Sequence, residues 1–438
     1  MYDPTQEDAQ LFRPIEHTGK GFYWSVGILI GIIAFAVFLY FRQIYLGMSV
    51  TGMNQPVTWG FYIVNFIFFI SISIAGTLIS AILRLSKAEW RRPISRMAEV
   101  ITAIVLLIGG LHPLIDLGRG DRAINMFLNG RLQSPLVWDM ISITLYFAAS
   151  AIYLYVPMIP DIAILKDRGT QPKWLYRLLA LDWQGTQKQK EIIHRAMTML
   201  MVIVIPLAFS VHTVLSYVFS LTLQPGWHST IFGPYFMVGA LYTGIAALLL
   251  VMLAFRKIFR LEDYLKEIHF DYLGRLLLII SLLWFYFTFT ESITAYFGEP
   301  REMKIFLYKF SGAYAPYFWS MVFCNFVVPV SLLSFKKTRK VVGVFISSVA
   351  VLIGMWLERL LIVVPSLINP RLPIPRGWYI PTFTEWGMFA GATALFILGF
   401  VLFSKFFPII SIWEVKEGRA LSVKEVTERV RTYLPEVP

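Results

Sequence analysis

The chain alternates long apolar stretches with short polar ones from end to end. Ten stretches are long enough to cross a bilayer, because a helix needs about 20 apolar residues to span the hydrocarbon core. They cover roughly residues 21–45, 57–83, 93–117, 136–162, 196–221, 232–255, 270–297, 314–335, 341–364 and 380–407. We therefore predict an all-α, polytopic membrane protein with almost no length left for a separate soluble domain.

The composition supports this prediction and excludes several classes of site. Of the 438 residues, 57% are hydrophobic and 15% are charged, and the mean hydropathy is +0.64. The single cysteine, Cys324, lies inside an apolar stretch, so the chain alone cannot build a disulfide framework or a cysteine-ligated iron–sulfur or zinc site. We predict no metal site.

The net charge of +12 is explained by topology rather than by nucleic-acid binding. The bases cluster in alternate gaps between the apolar stretches, at residues 84–96, 166–195, 256–266 and 336–340, and in the tail from 416. The positive-inside rule then places both termini in the cytoplasm. The polar N-terminus lacks the pattern of a cleaved signal.

Three ionisable residues lie where the third and fourth apolar stretches meet the outer face. The third stretch ends in HPLIDLGR, which contains Asp116 and Arg119, and SPLVWD opens the fourth with Asp139. Ionisable groups at membrane depth are costly and indicate a functional site. The alternative is an Asp116–Arg119 ion pair that only fastens the helix end.

Other polar residues are predicted to lie in the same half of the protein. Asn65 in the second stretch is level with the two aspartates, His112 and His212 lie on the third and fifth stretches, and His228 lies in an uncharged outer loop. Each buried histidine is interpreted either as a hydrogen-bonded core residue or as part of a site. Ligation of a haem by His112 and His212 is a further alternative.

A second group of ionisable residues suggests proton movement or structural ion pairs. Glu99 and Asp161 lie near the cytoplasmic boundary, where pairing with loop bases is the simpler interpretation. Glu291, Glu358 and Arg359 lie inside the later stretches. Because neighbours in a helix point to different sides, we expect Arg359 to pair with Glu291.

Seven segments in this order resemble the NrfD-like family, the membrane subunits of polysulfide reductase, of a quinone reductase complex of sulfate reducers, and of alternative complex III. They are VTWGFYIVNFIFFISISIAGTLISAILRL, AEWRRPISRMAE, HPLIDLGR, SPLVWD, YLYVPMIPD, SVHTVLSYVF and PGWHSTIFGPYFMVGA. WSMVFCNFVVPVSL and GMWLERLLIVVPSL are most similar to the alternative complex III branch. One position departs from that branch, because ISIAGT has Ile74 where a histidine is expected.

The resemblance implies two four-helix bundles, stretches two to five and six to nine, flanked by two peripheral helices. The corresponding divisions are 1–56, 57–225, 226–365 and 366–438. It also implies a quinone, menaquinone or ubiquinone, at the periplasmic end of the first bundle, with no haem or iron–sulfur cluster in this chain. The implied partners are a ferredoxin-like iron–sulfur subunit, molybdopterin-type or multihaem cytochrome subunits and other membrane subunits, in a bacterial cytoplasmic membrane.

We hypothesise that the chain exchanges electrons between a quinone and an extracytoplasmic partner, and is active only inside that complex. Proton transfer is assigned to Asp116 and Asp139, since a quinol releases two protons on oxidation. Quinone binding is assigned to these two with Asn65, His112, Arg119, His212 and His228. A proton path is assigned to Glu99, Asp161, Glu291, Glu358 and Arg359. The alternatives are a structural membrane anchor, a secondary transporter or ion channel, and a haem-bearing cytochrome b anchor.

Overall fold

The computed structural model describes residues 9–86, 88–371, 373 and 375–419. In this part of the chain ten helices are long and apolar enough to cross a membrane, which confirms the predicted fold class. They are α1 (Lys20–Leu46), α2 (Phe61–Leu85), α3 (Ser95–Asp116), α4 (Pro135–Asp167), α5 (Gln187–Ser220), α6 (Phe232–Ile258), α7 (Glu267–Phe297), α8 (Ala315–Leu333), α9 (Val341–Ile368) and α10 (Phe383–Phe406). The tail bases Lys424, Arg429 and Arg431 lie outside the described residues.

The first helix is peripheral and the second is central, as their side chains predict. Only 17% of the most apolar part of α1 is buried, against 88% for α2. α1 packs against α10, whereas α2 packs against α3, α5, α6 and α9. Small residues allow this close packing, because a Cβ on Gly76 would lie 2.3 Å from the carbonyl oxygen of Ala98 in α3. The grouping into two four-helix bundles stays a prediction.

A proline explains an irregular turn in α8. Residues Phe323–Val327 form a π-helical turn, and Pro329 has no N–H to donate to the carbonyl of Asn325 four residues earlier. That carbonyl instead accepts hydrogen bonds from the Tyr242 hydroxyl at 2.7 Å and from the Ser281 hydroxyl at 2.8 Å. The turn therefore fastens α8 to α6 and α7.

Residues 411–418, here called the C-terminal strap, cross back over the predicted cytoplasmic ends of α3 and α4. Asp161 is fully buried there and accepts a hydrogen bond from Arg96 at 2.5 Å. It also accepts from the backbone N–H groups of Ile412 and Trp413, at 3.2 and 2.9 Å. Pairing of Asp161 with a base, the simpler sequence-based interpretation, matches this geometry.

A second buried acid joins the C-terminal strap to the end of α2. Glu414 is 2% exposed and accepts from Arg84 at 2.6 Å and from Arg91 at 2.8 Å. Burial alone would raise the pKa of Glu414, but the two guanidinium groups outweigh it and lower the pKa to about 2. The carboxylate therefore stays ionised under all physiological conditions.

The stability that Glu414 contributes is expected to depend on pH only in acid. Because its pKa in the folded chain lies below the ordinary value of about 4.3, the contribution is complete above that pH. It is lost as the pH falls towards 2. We expect the thermal midpoint in detergent to fall more steeply between pH 5 and about 3 for the native chain than for Glu414→Gln. Parallel curves for the two proteins would contradict this role.

Candidate functional site

The structure places Asp116 and Asp139 at the junction between α3 and α4. Asp116 is the last residue of α3, and Asp139 lies in the second turn of α4, which begins at Pro135. Proline is well suited to the first turn of a helix because it needs no hydrogen-bonded N–H there. A short helix, Ile124–Leu128, lies in the link between α3 and α4. The chain thus turns back on itself with both acids at one end of the helix pair.

Both aspartates line a single cavity of about 340 Å³. The wall is mostly apolar, and it takes residues from α2 and the segment before it, α3, α4, α5 and the link between α3 and α4. Its aromatic members are Trp59, Phe66, Phe127 and Phe219. The volume is within the range of about 300–1,000 Å³ that is usual for small-molecule sites.

Each aspartate has one oxygen without a protein partner. The Oδ1 atoms of Asp116 and Asp139 are buried, and neither accepts a hydrogen bond from any residue that the structure describes. Buried polar atoms are nearly always hydrogen-bonded in folded proteins. The two oxygens are therefore suited to a ligand or to water held in the cavity.

Part of the cavity wall is formed by apolar side chains that are exposed on the outside of the protein. Several apolar side chains both line it and are exposed on the outside of the helices, including Phe127 at 66% and Leu136 at 51%. Leu114 and Leu117 at the end of α3 share this property. A molecule with a long apolar tail can therefore place a ring between the aspartates while its tail stays in the lipid.

Five of the seven residues assigned to quinone binding do not line the cavity, and two of these, Arg119 and His228, are exposed. Arg119 is exposed and pairs with Asp121 at 3.0 Å, so the Asp116–Arg119 ion pair considered above does not form. The reason is local, since α3 ends at Asp116 and the positive φ of Gly118 turns the chain away before Arg119. His228 is also exposed and is absent from the cavity wall.

The two buried histidines do not line the cavity. The Nδ1 atom of His112 is 2.9 Å from the carbonyl of Ile108, and that of His212 is 3.0 Å from the carbonyl of Ala208. Because a carbonyl only accepts, Nδ1 carries the proton in both rings. Both Nε2 atoms are buried with no partner among the described residues.

Asn65, the remaining residue assigned to the ligand, has a structural contact. Its Oδ1 accepts a hydrogen bond from the indole of Trp356 at 2.9 Å, which connects α2 to α9. The amide therefore links the two halves of the chain, and it does not line the cavity.

A chain of polar groups begins two helical turns beyond Asp139. Tyr146, on the same side of α4, donates to the carbonyl of Ser73 at 3.1 Å. Thr102 donates to the same carbonyl at 2.9 Å and accepts from Thr77 at 3.0 Å. The polar face of α2 therefore lies between α3 and α4, and Tyr146 is a member of this chain that sequence reasoning did not assign to a proton path.

Glu99 lies at the far end of the same polar face. The Ser80 hydroxyl donates to Glu99 at 2.7 Å and lies 3.2 Å from the Tyr153 hydroxyl. Ser73, Thr77 and Ser80 are spaced at three and four residues, so they share one side of α2. That spacing is the sequence signal that could have placed Glu99 opposite this helix.

A second, smaller cavity of about 70 Å³ lies in the other half of the protein. It is lined by Tyr235, Glu291, Lys309 and Glu358 among others. Glu291 accepts a hydrogen bond from Ser229, and burial lowers the pKa of the Lys309 amine to about 8 although both acids oppose this. Lys309 was not predicted, because it lies on a short helix between the spans, Pro300–Phe310.

The predicted Glu291–Arg359 pair is wrong. Arg359 lies 3.2 Å from its sequence neighbour Glu358 and packs over the Phe236 ring, with 4.6 Å between guanidinium carbon and ring centre. Although Glu358 and Arg359 are neighbours in the helix, both side chains are long enough to bend towards each other. Trp284 also donates to Glu358, at 2.6 Å.

Comparison with known proteins agrees with this architecture. Residues 49–370, almost three quarters of the chain, match the family model described as polysulphide reductase, NrfD. A putative membrane subunit of dimethyl sulfoxide reductase from Halobacterium salinarum is 24% identical over 80% of this chain and 79% of its own length. A selenate reductase subunit from Mesobacillus selenatarsenatis is 24% identical over 90% of this chain and 95% of its own length.

A third relative is named for a quinol reaction. The Hdr-like menaquinol oxidoreductase integral membrane subunit of Archaeoglobus fulgidus is 23% identical over 93% of this chain and 98% of its own length. The family match covers most of the chain, and the described residues include the ten spans predicted from the apolar stretches. The motif-based resemblance is thereby confirmed, and the chain belongs to the NrfD family.

Proposed function

We propose that this chain is the quinone-binding membrane subunit of a multi-subunit oxidoreductase. The observation that carries the proposal is the pair of unpartnered carboxylate oxygens, on Asp116 and Asp139, in one apolar cavity. Membership of the NrfD family supports it, as do relatives named as subunits of reductases and of a menaquinol oxidoreductase.

The residues of the cavity fit a quinone. Its flat ring suits the aromatic wall formed by Trp59, Phe66 and Phe219, and its two oxygens suit the two carboxyl groups. When bound, a quinone supplies two-electron, two-proton redox chemistry. Asp116 and Asp139 hold or accept the protons, while the apolar wall excludes bulk water from the reacting oxygens.

The proposal also includes proton movement across the membrane. The hydrogen-bonded groups from Tyr146 through Thr102 and Thr77, and from Tyr153 through Ser80 to Glu99, supply most of a path between the cavity and the predicted cytoplasmic face. The cavity that contains Glu291, Lys309 and Glu358 is the corresponding candidate in the other half. Asp161 is better explained as an anchor for the C-terminal strap.

The proposed partners follow from the position of the cavity. It lies at the predicted outer face, so the electron carrier is expected there, as a ferredoxin-like iron–sulfur subunit joined to molybdopterin-type or multihaem subunits. The bacterial cytoplasmic membrane, with both termini inside, remains the predicted location. The alternative complex III branch also remains a prediction.

A cavity-filling substitution tests the proposal. A Cβ on Gly110 meets no atom within 4 Å, and Gly110 lines the cavity, so Gly110→Leu is a suitable substitution for adding bulk to the cavity. We expect the KM of the purified complex for quinol to rise by at least about ten-fold, since ring burial is lost. Gly27→Leu on the exposed side of α1, where a Cβ is also unobstructed, is the matched control.

The outcomes separate the rival functions. A membrane anchor predicts the native KM in both variants. A transporter or channel predicts that the purified protein transports an ion or solute without any redox partner and that quinol oxidation is absent. Either result would overturn the proposal.

A further inference from the structure

The cavity between Asp116 and Asp139 is rich in hydrogen-bond acceptors and poor in donors. Among the described side chains that line it, none is Lys, Arg or His. The Thr144 hydroxyl already donates to the carbonyl of Met140 at 2.8 Å. The indole of Trp59 is the one remaining side-chain N–H in the described wall.

This inventory distinguishes the two redox forms of a quinone. An ionised carboxylate only accepts hydrogen bonds, and it accepts them strongly. A quinol presents two O–H donors, whereas a quinone presents two carbonyl acceptors. If a quinone lay between ionised Asp116 and Asp139, its two carbonyl oxygens would face carboxylate oxygens, which cannot donate a hydrogen bond. The Trp59 indole could donate to at most one of the two carbonyls.

The surroundings of the aspartates do not change this conclusion. From α10, Glu385 is the charged group that acts on Asp116, and it is also an acid. The Tyr62 hydroxyl from α2 is already engaged, because it donates to Gln43 of α1 at 2.6 Å. His112 is bonded to the backbone of its own helix.

The groups around Asp139 are apolar. The residues that line the cavity with it from α5 are Leu215, Val218 and Phe219, and those from α2 are Ile63 and Phe66. The charged residues of the link between α3 and α4 are exposed and absent from the cavity wall; they are Arg119, Asp121, Arg122 and Arg131. No cation from the described elements compensates either carboxylate.

We infer that this cavity selects the quinol over the quinone, and that the quinone formed is released only after the two aspartates lose their protons. The inference rests on the proposed function. In the reaction two O–H bonds break, one proton passes to Asp116 and one to Asp139. The two electrons leave through the redox centres of the partner subunit. Each protonated carboxyl group is now a donor and holds a carbonyl until it is deprotonated.

The consequence is an affinity that depends on both redox state and protonation. While both carboxyl groups are ionised the cavity holds quinol and releases quinone, and while they are protonated it holds either form. The protons that leave the carboxyl groups would be released at the predicted outer end of α3 and α4.

Anaerobic equilibrium binding to the complete complex, purified with its partners, tests the inference. The probes are a dimethyl-naphthoquinone and its quinol. At pH 9 we expect the quinol to bind at least about ten-fold more tightly than the quinone, because only the quinol can donate charge-assisted hydrogen bonds to the carboxylates. At pH 5.5 the two affinities should converge to within about three-fold, because protonated carboxyl groups donate.

The double variant Asp116→Asn with Asp139→Asn supplies a second measurement that does not need turnover. An amide has two N–H donors, so the variant should bind the quinone at least as well as the quinol, with no dependence on pH. Asp121→Asn, on the same face but exposed, should keep the native pattern.

The possible results are distinct. Equal binding of both forms by the native complex at every pH would overturn the inference and leave the proposed function intact. Failure of both forms to bind would overturn the proposed function as well. A preference for quinol at pH 9 that the double variant retains would show that the two aspartates are not its cause, and would also overturn the inference.

Discussion

Asp139→Asn is expected to lower the rate of quinol oxidation by the assembled complex by at least about 100-fold, because general acid–base groups typically contribute factors of about 10²–10⁴. Asp139 is 8% exposed and has an oxygen without a hydrogen-bond partner among the described residues. Asp116, on α3, is the other acid of the described wall, so α4 has no second acid there to replace Asp139. Asparagine has the same shape and cannot accept the second proton. The measurement is steady-state quinol oxidation with an artificial electron acceptor, together with a thermal midpoint.

Two comparisons make this prediction specific. Asp116→Asn is expected to show a loss of the same order, while Asp121→Asn, whose partner is the exposed Arg119, should keep native turnover. The thermal midpoint of Asp139→Asn should equal or exceed the native one, since no ion pair is broken. Native turnover in both cavity variants would exclude proton transfer through these carboxyl groups.

Asp161→Ala is expected to produce the largest loss of stability, about 3–5 kcal/mol, as is typical when one partner of a buried ion pair is removed. Arg96 would remain 1% exposed without its carboxylate, and the N–H groups of Ile412 and Trp413 would lose their acceptor. The C-terminal strap should loosen at Ile412 and Trp413, while Glu414 still binds Arg84 and Arg91. Unfolding in detergent and the rate of proteolysis after α10 report the two effects separately.

The matched control removes an ion pair of the same type from the surface. Asp121→Ala breaks the Arg119 pair, in which both side chains are more than 60% exposed, and it should leave the stability close to native because solvent screens such pairs. The double variant Arg96→Met with Asp161→Ala should recover part of the loss, because no unpaired charge stays buried. Equal stability of Asp161→Ala and Asp121→Ala would contradict the anchoring role.

Local sequence patterns were sufficient for the membrane spans and for the position of the two cavity acids along the chain. All ten predicted stretches overlap helices, because the free energy of transferring an apolar segment into lipid depends mainly on the segment itself. Asp116 and Asp139 could be placed at one helix junction since consecutive helices joined by a short link return to the same face of the membrane.

Ion pairing was the least predictable feature. Arg119 was considered as a partner for Asp116 and instead pairs with Asp121, because the helix ends first. Arg359 was expected to contact Glu291 and instead contacts Glu358. In each case the partner depends on the last turn of the backbone or on the bend of a long side chain, neither of which hydropathy records.

By itself the sequence determined an all-α chain with ten membrane spans and two acids at one helix junction, because these properties follow from short segments and chain order. Only the tertiary structure decided that the acids share one apolar cavity, that Asn65 connects to Trp356, and that the C-terminal strap binds Asp161. Those contacts join residues far apart in the sequence. Their positions are set by how whole helices pack, which no single segment encodes.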